Sequence, residues 1–203
     1  LQQVECPSDP TVSANDCFKP VSRYFDRISR PEQLINSLPV AIQTLTDPEN
    51  CGPVTIAIPQ DVQSEAFDYP ESFFAERVHY PRRPPAEQRE LEAAIATLLA
   101  AKKPLIVSGG GVLYSQATEE LRNFAEAHQI PVSETQAGKG AMVWDHPQYV
   151  GAIGVTGSKA ANTLAGEADV VLAIGSRLQD FTTGSRTVFA NPDVTLLHLN
   201  VGR

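Results

Sequence analysis

Apolar positions recur along the chain with two periods. Residues 31–46, PEQLINSLPVAIQTLT, put Leu34, Leu38, Ala41, Ile42 and Leu45 on one helical face. Pro31 suits a first helical position, and Pro39 should kink or divide the helix. Val54–Ile58 follows as a short β-branched run without polar alternation, the pattern of a buried strand in a parallel sheet. Residues 63–85 then lose all period and mix prolines with aromatics, which predicts a stiff linker lying along a surface.

From Ala86 the rhythm returns. AEQRELEAAIATLLAAKK carries Leu91, Ala94, Ile95, Leu98 and Leu99 on one stripe. KKPLIVSGGG is a strand entering a glycine turn. QATEELRNFAEAHQ is a helix with Leu121, Phe124, Ala125 and His128 on one side. IPVSETQ is a strand, SKAANTLAGEA a short helix, and DVVLAIGSR and DVTLLHLNV are two more strands. Strands alternating with helices predict an α/β fold: a doubly wound, parallel, six-stranded Rossmann-like domain over 86–203. The helix and strand before residue 62 read as the end of another α/β domain, with 63–85 joining the two.

Composition narrows the function. Of 203 residues 42% are hydrophobic, and the formal net charge is −8. That balance excludes a basic nucleic-acid footprint or attraction to an anionic membrane. No apolar run approaches the ~20 residues of a spanning helix. Cys6, Cys17 and Cys51 are odd in number and irregularly spaced, which argues against a disulfide framework and for a reducing cytoplasm. His79, His128, His146 and His198 are scattered, so no metal site is expected from this chain alone. The opening LQQVECP and the closing LLHLNVGR both read as cut ends of a longer protein.

Candidate chemistry lies at the carboxyl ends of the predicted strands, where open parallel sheets take ligands. Four loops there are rich in glycine and small polar residues: 109–114, 135–140, 151–157 and 175–184. Glycine lets a phosphate or ring approach the backbone closely. It serves a tight strand-to-helix turn equally well, and GGGVLY has Tyr114 where a full dinucleotide fingerprint has its third glycine. Glu134 could mimic a ribose-binding acid. Arg177 and Asp180 are a ligand pair or a solvated pair. His128 reads as a helix-dipole partner and Trp144 as packing. No Ser/His/Asp or Cys/His order suggests a nucleophile, so no catalytic residue is named.

Taken in order, CGPVTIAIPQDVQ, the proline-rich linker, KKPLIVSGGGV, ETQAGKGA, HPQYVGAIGVTG, ADVVLAIGSRLQDFTTG and LLHLN resemble thiamine diphosphate-dependent enzymes of the acetohydroxyacid synthase type. NDCFKPVSRYFDRISRPEQL, AIPQDVQSEAFDYP and GVTGSKAANT resemble its ring-opening branch, C–C hydrolases of myo-inositol catabolism acting on a cyclic 1,2-diketone. The resemblance implies three α/β domains in a homodimer or homotetramer. Residues 1–62 would end the pyrimidine-binding domain and 86–203 would form most of the central one. Thiamine diphosphate and Mg²⁺ would be held outside this chain.

In the central domain the resemblance implies nucleotide-facing loops. Carried over by position, these are Gly109, Gly110, Gly111, Gly138, Lys139, Gly140, Gly154, Thr156, Gly157, Gly175, Ser176, Arg177 and Asp180. Acetohydroxyacid synthases hold FAD there, and some relatives ADP. This chain has Thr156-Gly157 in place of a His-Gly and RLQDFTTG in place of an arginine-rich loop, departures that weigh against FAD. An FAD-containing carboligase, a nucleotide-binding module and a purely structural pocket stand as alternatives.

Overall fold

The computed structural model describes Ser8 and residues 13–202. Cys6 and the two chain ends lie outside the described residues. Two compact units divide near Arg83 and Pro84.

In the first unit β1 (Tyr24–Arg27) pairs in parallel with β2 (Val54–Ala57), Tyr24 opposite Val54. Between them α1 (Leu34–Thr46) packs on both. Pro31 opens a 3₁₀ turn that leads into α1. The helix then runs through Pro39 undivided, contrary to the expected break. Only the amide that Pro39 lacks is lost, near the exposed side of a helix tied down elsewhere by the hydrogen bond of Ser37 to Asp26. β1 is a correction: this region is strand–helix–strand, not helix–strand. YFDR alternates too briefly, and with too many charges, to announce itself. β2 is corrected too. All four residues are half-buried, since one neighbouring strand and one helix cover little of it.

The segment after β2 makes its own aromatic cluster. Tyr69 stacks on Phe73 at 4.9 Å and meets Phe67 edge-on at 4.8 Å. The Tyr69 hydroxyl donates to Pro31 O at 2.7 Å.

The second unit is a five-stranded parallel sheet in the order β5-β4-β3-β6-β7, against six strands expected. The strands are β3 (Pro104–Ser108), β4 (Val132–Glu134), β5 (Tyr149–Ala152), β6 (Val170–Ile174) and β7 (Thr195–Leu199). The helices are α2 (Gln88–Ala100), α3 (Gly110–Tyr114), α4 (Thr118–His128), α5 (Lys159–Glu167) and α6 (Asp180–Thr183). β5 lies inside a stretch that reads as loop, because YVGA is four residues long and contains a glycine.

Both sheet faces are covered, as a doubly wound fold requires. Ile106 and Val132 turn to one face and pack with Val112, Leu121 and Ala125 from α3 and α4. Leu105, Val107 and Val171 turn to the other and pack with Ala161 and Ala165 of α5. Those two alanines are fully buried, so α5 sits close to the strands. Its cap is Ser158, whose hydroxyl accepts from Ala161 N at 3.0 Å and donates to Val150 O at 2.7 Å. α2 uses less of its stripe than the pattern implies: Leu98 reaches the core, whereas Leu91, Ile95 and Leu99 are exposed. Asp169 closes the end opposite the loops. Its carboxylate accepts from Lys102 N at 2.7 Å and Lys103 N at 2.9 Å, bonds that hold its pKa below the ordinary value.

Candidate functional site

Strand order reverses between β3 and β6, so the crevice that a ligand would use lies between the loops following those strands. Backbone fills it. A Cβ on Gly109 would stand 2.3 Å from Gly175 O, and one on Gly111 2.5 Å from Gly175 Cα. Gly111 N donates to Gly175 O at 3.0 Å, and Gly109 N to Ile174 O at 2.8 Å. Gly175 itself has φ +59 and faces Gly111. These glycines make room for one another.

The neighbouring loops repeat the device. A Cβ on Gly138 would meet Ser108 O at 2.2 Å, one on Gly154 would meet Phe181 O at 2.4 Å, and one on Gly157 would meet Ala152 O at 2.7 Å. Gly110 is looser, 3.1 Å from Ala137 O. Asn162 on α5 clamps Gly154 from both sides: Gly154 N donates to its Oδ1 at 3.0 Å, and its Nδ2 donates to Gly154 O at 2.9 Å. Ser176 is buried. Its hydroxyl accepts from Leu178 N at 3.1 Å, and its carbonyl accepts from His198 Nε2 and from Asn200 Nδ2.

Five members of the candidate set are exposed: Lys139, Gly140, Thr156, Arg177 and Asp180. Arg177 and Asp180 form no ion pair among the described residues, and Asp180 accepts instead from Ser185 Oγ at 3.2 Å. Gly140 is unlike the other glycines: its φ is +90, and a methyl added there would meet nothing within 4 Å. It lines a cavity of about 360 Å³ together with Ala141, Met142 and Val143, facing Thr118, Glu119 and Arg122 of α4.

The residues that hold this side were not among the loop candidates. Glu134 is buried at the end of β4. Its Oε1 accepts from the Tyr149 hydroxyl at 2.6 Å and its Oε2 from Gly140 N at 3.0 Å. Burial and then the Glu134 bond push the Tyr149 phenol up to about 12. Glu134 is thus a brace, not the ribose acid its position in sequence suggests. His146 is buried too. Its Nδ1 accepts from Gln148 N at 3.2 Å, which leaves Nε2 as the donor to Glu126 Oε1 at 2.9 Å. Trp144, between these two pins, is 83% exposed and so is not the packing residue expected. His128 lies in the last turn of α4 with its ring 4.6 Å from Phe124. Three-residue acid–histidine–cysteine groupings able to hold a metal are absent among the described residues.

A parallel sheet with this strand order and glycine-packed carboxyl ends can be compared with known families. The profile of the thiamine pyrophosphate enzyme central domain matches residues 91–203. The chain belongs to the thiamine pyrophosphate enzyme central-domain family. Similar proteins match along its whole length. It is 51% identical over 203 residues to a 3D-(3,5/4)-trihydroxycyclohexane-1,2-dione hydrolase of Clostridium perfringens, covering 100% of this chain and 32% of that protein. Proteins of the same name from Clostridium tetani and Bacillus thuringiensis are each 49% identical over 201 residues, covering 99% of this chain and 31% of theirs. The chain therefore spans about a third of the length of these relatives. Within this central domain, His146, Glu134 and Asn162 carry no family signature that sequence reading could use; only their contacts reveal them.

Proposed function

We propose that the chain is part of a thiamine diphosphate-dependent C–C hydrolase that opens the ring of 3D-(3,5/4)-trihydroxycyclohexane-1,2-dione in inositol breakdown. The observation that carries this reading is the 49–51% identity to hydrolases of that name, sustained across both structural units. Residues 1–62 belong to the pyrimidine-binding domain, 63–85 are the linker and 86–203 are the central domain. The parent works in the cytoplasm as a homodimer or homotetramer and uses Mg²⁺ with its thiamine diphosphate. The described residues lack a carboxylate cluster suited to that metal, so no step of the ring opening is assigned to them.

The candidate loop residues divide by role. Gly109, Gly110, Gly111, Gly138, Gly154, Gly157, Gly175 and Ser176 are scaffold. Lys139, Gly140, Thr156, Arg177 and Asp180 are left to meet a ligand. FAD does not fit between the β3 and β6 loops, where backbone occupies the approach a dinucleotide phosphate needs. This favours the hydrolase over an FAD-containing carboligase.

Two assays test the reading. The parent polypeptide, given thiamine diphosphate and Mg²⁺, should hydrolyse the dione to an open-chain acid and make little acetolactate from pyruvate. A parent that prefers pyruvate condensation would overturn it. The 203-residue chain alone should show no turnover.

A further inference from the structure

A buried carboxylate is expensive unless its oxygens are satisfied. Glu134 meets no lysine or arginine among the described residues. Its two oxygens instead take two converging donors, one from the backbone of Gly140 and one from a β5 side chain. In the sheet it stands in register with Ser108 on one side and Ala152 on the other, so its backbone cannot shift without disturbing β3 and β5. Gly140 sits where φ is +90, a conformation the chain must be held in. Just beyond it, Ala141, Met142 and Val143 form one wall of the cavity facing Thr118 and Arg122. Exposed Lys139 precedes it.

We propose that Glu134 is the positioning residue of this loop: by fixing the Gly140 amide it sets where Lys139 stands and where the Gly140–Val143 wall stands. The proposal rests on the reading of Lys139 and Gly140 as ligand-facing, and it deepens that reading. The requirement is for two acceptors pointing in different directions. A carboxylate supplies both. Glutamine can still serve the loop, with its oxygen on Gly140 N and its amide donating to the Tyr149 oxygen. Leucine, of similar bulk, can do neither.

The test uses the 203-residue chain and three variants. Trp144 is its single tryptophan and lies on the loop, so its fluorescence anisotropy reports loop order. In Glu134→Leu the anisotropy should fall, and the Gly140 amide should exchange about 10- to 100-fold faster, as expected on losing one charge-assisted hydrogen bond. In Glu134→Gln both should remain close to the parent values. The Tyr149 phenol should ionise nearer its ordinary value of about 10 in both variants, because the charge is gone in both. Tyr149→Phe should leave the Gly140 amide protected. If Glu134→Leu fails to fold, the unsubstituted chain still decides: a Gly140 amide exchanging at the rate of an open loop overturns the proposal. So does unchanged anisotropy in a folded Glu134→Leu. Titration with ADP separates the two claims. A chain that binds no ADP while Glu134 behaves as stated keeps the positioning role and removes the ligand reading.

Discussion

The loops after β3 and β6 and the loop after β4 carry similar glycine-rich sequences, yet different forces hold them. After β3 and β6, main chain lies directly on main chain: Gly109 and Gly111 against Gly175, with hydrogen bonds of 2.8 and 3.0 Å around the contact. After β4, side chains reach in from elsewhere, Glu134 to Gly140 and His146 to Glu126. The first arrangement tolerates no added atom. The second leaves space beside Gly140 and depends on titratable groups. Glycine content alone therefore says nothing about which loop is closed and which faces outward.

Substitution by alanine separates the two causes of a glycine requirement, space and backbone angle. Gly175→Ala violates both, with φ +59 and a methyl 2.5 Å from Gly111 Cα. It should lower stability by about 3 kcal/mol or more in denaturant unfolding. Gly109→Ala violates space alone, its φ being −103. About 2 kcal/mol is expected, with overpacking as the cause. Gly140→Ala violates only the angle, and about 1 kcal/mol should be lost. A Gly140 effect equal to that of Gly175 would break the comparison, since it would mean that the two loops are packed alike.

The smallest effect separates the loops by pH. The Tyr149 phenol lies above its unfolded value, so its contribution to stability is complete below pH 10. That contribution fades as pH climbs from 10 through about 12. Stability measured across that interval should fall less in Tyr149→Phe than in the parent chain, while Gly109→Ala should show the same slope as the parent.

The strands that the sequence announced were those with apolar residues on both faces. β3 and β6 occupy the middle of the sheet, where burial on each side forces such runs. β1 and β5 were hidden because edge or half-covered strands can be short, charged or glycine-containing. The stripe on α2 promised more burial than it receives, since Leu91, Ile95 and Leu99 have no partner face among the described residues. In the site, sequence located the four loops but not their contents. A glycine's neighbours, and whether Glu134 braces a loop or meets a ribose, depend on what lies across the sheet. That information is long-range, and no local pattern holds it.

Asn162 gives one of these loops a chemical clock. Its side-chain amide pairs with Gly154 as a peptide group would, donating and accepting at once. Spontaneous deamidation would replace the donating nitrogen with oxygen and set it against the Gly154 carbonyl, acceptor against acceptor. Aged protein would thus lose the grip of α5 on its loop with almost no change of mass. Asn162→Asp, prepared fresh, is the reference for that aged state.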